Sequence, residues 1–230
     1  GELSGKLKTK GGMFKYYGYA NYNIIAFDKP NMDGNNLKDY FRLTNHHVFS
    51  ILTYTGSLKD KWKLTAGTGF SYNKDHINID TKINENEISN FLPRITNYTT
   101  QARAVLTRNL HGLNKIQFGT EYQHVIDKIN ARDSIPFITR TDHYTALFTE
   151  TDLYFTTKLV ARMGLRYEYS SLLAQGKWSP RISMAYKLRK GGQVSAAYGD
   201  YYQKPDVNIL FRTPNLQFTQ ATHYLVNYQR

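Results

Sequence analysis

Between residues 178 and 202 the chain alternates apolar and small polar side chains along two full arms. Trp178, Pro180, Ile182, Met184, Tyr186 and Leu188 share one parity, and Ser179, Arg181, Ser183, Ala185 and Lys187 share the other. After Arg189-Lys190-Gly191-Gly192 the alternation resumes, with Val194, Ala196, Tyr198 and Tyr202 set against Ser195, Ala197, Gly199 and Tyr201. Successive side chains on a strand point to opposite faces. This stretch therefore predicts a hairpin with one apolar face and one small, polar face that carries Arg181. Each arm is about a dozen residues, roughly twice the commonest strand length in soluble domains. A strand tilted across a bilayer needs about nine to eleven residues within the hydrocarbon.

The pattern repeats along the chain. A partial strand is expected at 2–9 and a long one at 14–27, holding Tyr16, Tyr17, Tyr19 and Tyr22. The strand at 44–57 is apolar on both parities (Val48, Leu52 and Tyr54 against Phe49 and Ile51), which leaves its orientation open. Trp62, Leu64, Ala66, Phe70 and Tyr72 oppose Lys63, Thr65, Gly67, Gly69 and Ser71; Ala102, Ala104 and Leu106 oppose Gln101, Arg103 and Thr107. Ile116, Phe118, Tyr122 and Ile126 oppose Gln117, Gly119, Glu121 and Gln123. Two more strands follow at 143–155 and from Leu159, and a last one starts near Gln220. The connections near 58–61, 110–114, 156–157 and 189–192 are short, those at 28–43, 74–96, 129–142 and 203–219 are long, and 172–177 is intermediate. Short turns at one end and longer loops at the other are the layout of outer-membrane barrels. The expected fold is all-β: an antiparallel up-and-down transmembrane β-barrel, to which residues 1–230 contribute about ten or eleven long strands of one domain.

Composition removes several alternatives. No run approaches the roughly eighteen apolar residues of a spanning helix, and hydrophobic residues make up 40% of the chain. Tyr is abundant at 19, as suits the aromatic girdles of membrane barrels. Cys is absent, which removes disulfide frameworks and thiolate metal sites. The net charge of +12 raises nucleic acid as a partner, yet Lys6, Lys8, Lys10, Lys15, Lys59, Lys61 and Lys63 are scattered and build no recognition module. No nucleic acid is expected. The adjacent His46 and His47 point to opposite faces and His223 stands alone, so no metal is expected. No nucleophile elbow, phosphate loop or HExxH motif occurs, and neither an enzyme nor a cofactor is expected.

Glu121, Glu150, Asp152, Arg162, Arg166, Glu168 and Arg181 share the parity that would face the lumen. Two roles stay open for them. They can form a ladder of ion pairs across neighbouring strands, or Arg166 and Arg181 can contact a plug or an anionic substrate through their planar forks. Trp62, Trp178, Tyr186 and Tyr198 are expected at the membrane interface, with lipid as their partner.

Several short stretches resemble the barrel of TonB-dependent receptors, most closely the Bacteroidetes-type branch. They are Phe148-Thr149-Glu150-Thr151-Asp152-Leu153-Tyr154, Gly164-Leu165-Arg166-Tyr167-Glu168, Trp178-Ser179-Pro180-Arg181 and Ala185-Tyr186. Ala197-Tyr198-Gly199, Gln203-Lys204-Pro205, Asn215-Leu216 and Ala221-Thr222-His223-Tyr224 extend the likeness, which is strongest over 143–230. The resemblance implies a 22-stranded barrel with a plugged lumen. It implies that the plug domain, the segment that meets the periplasmic energy-coupling protein, and the closing strands lie outside these residues. It also implies energy-coupled import of a scarce, bulky ligand such as a ferric siderophore, cobalamin or an oligosaccharide. A passive pore or adhesion barrel, and a soluble basic β-sheet binding protein, are the alternatives.

Overall fold

In the computed structural model, described over residues 1–30, 37–83, 86–131, 135–205, 209 and 215–230, the period-two stretches pair into one antiparallel sheet. In chain order the strands are β1 (Glu2–Lys8), β2 (Gly12–Pro30), β3 (Leu37–Ser57), β4 (Trp62–Ile83), β5 (Asn86–Phe91) and β6 (Pro93–Asn109). They continue as β7 (Lys115–Ala131), β8 (Ile135–Tyr154), β9 (Leu159–Ser170), β10 (Gln175–Lys187), β11 (Gln193–Gln203) and β12 (Thr219–Gln229). Eleven of them run up and down in sequence order, and β5 folds back onto the outer part of β4. The expected all-β, up-and-down architecture is present.

Directly paired residues share a face, so the register sorts the whole sheet. Lys63, Gly67, Arg103, Glu121, Ala146, Glu168 and Ser179 lie on the polar face. Leu64, Phe70, Leu106, Phe118, Leu147, Leu165 and Met184 lie on the other. The register also orients β3: His46, Val48, Leu52 and Tyr54 join the apolar face, while Phe49 and Ile51 join the polar one beside Tyr19 and Tyr17. Among the described residues nothing packs over the apolar face, where Leu147 is 55% and Met184 44% exposed. A soluble sheet buries such a face; this one presents it to its surroundings.

Three of the four long connections expected from sequence are shorter than anticipated, because the strands run on into them, while the one between Gln203 and Thr219 keeps its length. β2 continues to Pro30 and β3 resumes at Leu37; β7 continues to Ala131 and β8 resumes at Ile135. The expected loop at 74–96 is largely β4, β5 and the start of β6. Residues 31–36, 84–85, 132–134, 206–208 and 210–214, which fall in the expected loops, lie outside the described residues. Outside a bilayer a strand can be polar on both faces while its backbone ladder stays satisfied, so Asn, Asp and Lys there do not mark a break. The two ends of the sheet therefore differ mainly in how far the strands protrude. β2, β3, β4 and β8 reach 19 to 22 residues, against 11 to 13 for β9 to β12.

The one buried apolar cluster among the described residues sits at the long-strand end. Tyr144, Ala146, Leu173 and Phe218 form it, with Leu172, Tyr202 and Leu216 packed against them. It joins β8, the β9–β10 turn and the segment that enters β12.

Candidate functional site

The polar face of β6 to β9 carries a network of charges whose geometry follows from the register. Arg103, Glu121, Ala146 and Glu168 face one another in a row across four strands. The small Ala146, fully buried, separates the two glutamates. Arg166 lies one row away, opposite Phe148, and bridges the gap diagonally. Its Nη2 donates to Glu121 Oε2 at 2.6 Å and to the Tyr144 hydroxyl at 3.1 Å, and its Nε donates to Glu168 Oε2 at 3.4 Å. Arg103 Nε reaches the other Glu121 oxygen at 3.1 Å, and the Tyr144 hydroxyl donates to Glu168. The guanidinium carbons of Arg103 and Arg166 lie 5.5 and 5.8 Å from the centre of the Phe148 ring. That ring has room because Gly119 stands opposite: a Cβ on Gly119 would collide with it.

A second group lies nearer the short turns. Arg162 grips the buried Asp152 with two bonds, Nε to Oδ1 at 2.6 Å and Nη2 to Oδ2 at 3.1 Å, the bidentate geometry that suits a guanidinium. Lys115 Nζ lies 3.0 Å from Asp152 Oδ2, and Arg162 Nε lies 3.5 Å from Glu150 Oε1. Six of the seven charged residues singled out from sequence thus fall into two linked networks. Arg181 stands apart. It lies 4.4 Å from the centre of the Tyr201 ring and makes no salt bridge among the described residues. Two residues before it on the same face, Ser179 Oγ is buried without a hydrogen-bond partner.

Across β2 to β4 the polar face is built differently. The Tyr19 hydroxyl and His47 Nδ1 lie 3.2 Å apart, and His47 Nε2 and Ser71 Oγ the same distance. Asn45 Nδ2 donates to Asn73 Oδ1 and Asp75 Oδ1 at 2.7 and 2.6 Å. Tyr19 packs on Phe49 at a centroid distance of 5.5 Å. A concavity of about 920 Å³ runs along the wall between the two zones, from Thr53 and Gly67 to Arg103, Glu121 and Phe148.

At the long-strand end Asp142 ties three segments together. Its Oδ1 accepts from Ser170 Oγ at 2.9 Å, Ser171 Oγ at 3.3 Å and the Leu172 amide at 3.1 Å; its Oδ2 accepts from Lys204 Nζ at 2.5 Å. Burial pushes the carboxyl up, but the Lys204 ammonium, the Leu172 amide and Ser170 outweigh it. The net result holds Asp142 below the usual carboxylate range.

On the apolar face, rings meet in pairs across neighbouring strands. Toward the long-strand end these are Tyr22 with His46 at 4.7 Å, Tyr72 with Tyr98 at 5.1 Å, His124 with His143 at 4.5 Å, Tyr167 with Trp178 at 4.8 Å and Tyr198 with Tyr224 at 5.2 Å. Toward the short turns, Trp62 lies 6.3 Å from Phe118 and under Arg108, and Tyr186 is 47% exposed. All four aromatics singled out from sequence are on this face.

A family model described as TonB dependent receptor-like, beta-barrel matches residues 4–228. The chain belongs to that family. As a TonB-dependent receptor barrel it resides in the bacterial outer membrane, with the polar face toward the lumen and the apolar face toward lipid. Its fold is similar to that of the outer membrane transporter YddB from Escherichia coli, at 13% identity and a TM-score of 0.64, covering 88% of this chain and 31% of that one. It is also similar to the alcaligin outer-membrane receptor FauA from Bordetella pertussis (14%, 0.60, 89% and 35%) and to the copper transporter OprC (12%, 0.62, 91% and 43%). The receptor barrel thus spans between about a third and two fifths of these solved relatives. No curated protein matches it in sequence.

Several residues of the wall escaped the sequence reading. Tyr144 and Phe148 look like ordinary barrel aromatics; they share the parity of Glu150 and Asp152, but their partners emerge only once β8 is registered against β7 and β9. Asp142 and Lys204 are 62 residues apart and sit in stretches that read as loop.

Proposed function

We propose that this barrel wall is part of a receptor that imports a scarce, bulky ligand across the outer membrane using energy supplied from the inner membrane. Family membership over residues 4–228 carries the reading. The ligand class is a ferric siderophore, cobalamin or an oligosaccharide. The complete protein would add a plug domain inside the lumen and a segment that contacts the energy-coupling protein. It would also add strands that pair with β1 and β12, whose outer backbone groups have no partner among the described residues. Each unpaired group in hydrocarbon costs several kcal/mol, so such edges need closing.

Within this reading the two charge networks brace the wall, since each of their arginines is already paired with a carboxylate. Arg181 and the orphaned Ser179 hydroxyl are the groups left to meet a plug or an anionic ligand. Trp62, Trp178, Tyr186 and Tyr198 mark the two edges of the bilayer. Trp62 and Tyr72 stand ten residues apart on one strand, the span of the hydrocarbon. Strand by strand, Trp178 is in register with Tyr167, Leu147, Thr120, Ala104 and Ala66, six residues short of Tyr72. If Trp178 and Tyr72 lie at one membrane level, six residues of about 3.3 Å over five steps of about 4.8 Å give a strand tilt of about 40°, typical of a barrel.

The test is uptake by cells whose only such receptor is the full-length protein, offered ferric siderophores, cobalamin and oligosaccharides in turn. Uptake of one of them that stops when the inner-membrane proton gradient is collapsed supports the proposal. Gradient-independent flux limited only by solute size would establish a passive pore instead. Arg181→Ala is expected to slow uptake while leaving the unfolding midpoint in place.

A further inference from the structure

The +12 charge of the chain is not fully explained by the lumen networks, which are nearly balanced. Three of the unbalanced cations, Lys74, Arg94 and Lys128, lie together on the outside of the wall. On the lipid side, one step beyond the Tyr72–Tyr98 ring pair, His46, Lys74, Thr96 and Lys128 form a register row across β3, β4, β6 and β7. The next outward row contains His76 beside Arg94. Five basic side chains therefore share a patch about three strand spacings wide, roughly 15 Å. None of them makes a salt bridge among the described residues. The carboxylates nearest on this face, Asp28 and Asp80, lie farther out, in the row of Tyr40 and next to Arg42.

Like charges on adjacent strands oppose one another. Their mutual influence is visible at His76: burial chiefly, then Lys74, Arg94 and His46, hold its imidazole below the usual histidine range, and Asp75 offsets them only in part. His76 Nε2 is buried with no hydrogen-bond partner. Lys128 Nζ sits 5.6 Å from the centre of the Tyr98 ring, a cation held at the level of the girdle. The charge complement of such a patch is an anion, and the chemistry at that height above a girdle is that of lipid headgroups.

We propose that His46, Lys74, His76, Arg94 and Lys128 form an external binding site for the phosphate groups of outer-leaflet lipid headgroups. Arg94 supplies a planar fork for two phosphate oxygens, Lys74 and Lys128 supply point charges on either side, and the unpartnered His76 imidazole supplies an N–H donor. The proposal rests on the reading of the Tyr72 ring row as the outer edge of the bilayer.

The experiment is native mass spectrometry of the full-length receptor in detergent, with bisphosphorylated lipid A as probe and its dephosphorylated form as control. The wild type is expected to retain the phosphorylated lipid at least tenfold better than the control. The double variant Lys74→Gln with Arg94→Gln should lose that preference, and Lys74→Arg with Arg94→Lys should keep it. Lys59→Gln with Lys61→Gln, on a short turn at the opposite end, should leave it unchanged. Equal retention of the two lipids, or an equal loss from the short-turn variant, overturns the site. A fluorophore at Tyr72→Cys, read with depth-graded quenchers in vesicles, separates the two ideas. A label away from the interface sinks the membrane-edge reading; a label at the interface with no phosphate preference sinks only the lipid site.

Discussion

Among the described residues the lumen wall is held together by ion pairs across β6 to β9, and by hydrogen bonds and rings with no ion pair across β2 to β4. Both zones satisfy the same requirement, that polar groups on a crowded face find partners. They differ in what happens when one partner is lost. Across β2 to β4, removing His47 strands a Tyr19 hydroxyl and a Ser71 hydroxyl, which water from the lumen can satisfy. In the charged zone, removing Arg166 leaves Glu121 and the buried Glu168 on either side of Ala146 with their shared counter-charge gone. The lesson is one of fault tolerance: the wall without ion pairs degrades gently, and the Glu121–Glu168 row of the charged wall depends chiefly on Arg166.

The largest effect that would test this contrast is that of Arg166→Ala, expected to cost about 3 kcal/mol of stability, as breaking a partly buried ion pair does. It would be read as the denaturant midpoint of the folded receptor in detergent. Arg181→Ala should stay within about 0.5 kcal/mol of wild type; equal losses from the two would erase the distinction between bracing and free arginines.

Lys204→Ala comes next, at about 2 kcal/mol, because it strips the buried Asp142 of its ammonium. This contact adds a pH signature. Asp142 titrates lower in the folded protein than in the unfolded chain, so its contribution is complete above the ordinary carboxylate value of about 3.9 and fades as pH falls through the lower folded value. Acidification from pH 5 toward 3 should therefore destabilise the wild type more than Asp142→Asn, measured by the same midpoint.

His47→Ala should cost only about 1 kcal/mol, with no dependence on salt. The smallest effect belongs to Arg103→Ala, about 0.5 kcal/mol: its side chain is 62% exposed, and the pair with Glu121 should weaken further in 1 M salt. A salt-sensitive His47 variant, or a salt-insensitive Arg103 variant, would show that the two zones are not held by different forces.

The alternation of Trp178 to Leu188 against Ser179 to Lys187 was enough to identify strands, faces and the family of architecture, because side-chain direction follows directly from sequence position. Partners were not legible in the same way. A period of two leaves every registration that differs by two residues equally acceptable, so Glu121, Arg166 and Glu168 could be placed on one face but not joined. The diagonal reach of Arg166 past Phe148 depends on Gly119 and Ala146 being small, which is a fact about three strands at once. The outer strand extensions were hidden for a different reason. Lys74, His76 and Arg94 fall where a polar run reads as loop, yet backbone pairing is indifferent to that polarity once water is on both sides.

Those extensions have a consequence for the geometry of the cell surface. From Tyr72 to the end of β4 at Ile83 is eleven residues of paired strand, which at a tilt of about 40° lifts the rim some 25–30 Å above the girdle. This stretch of wall then stands well above the bilayer. Its paired strands are long from β2 to β8 and short from β9 to β12. If this wall belongs to an importer of bulky cargo as proposed, a particle arriving at these strands would meet a sill at β9 to β12 and a backstop at β2 to β8, a directional bias set by strand length.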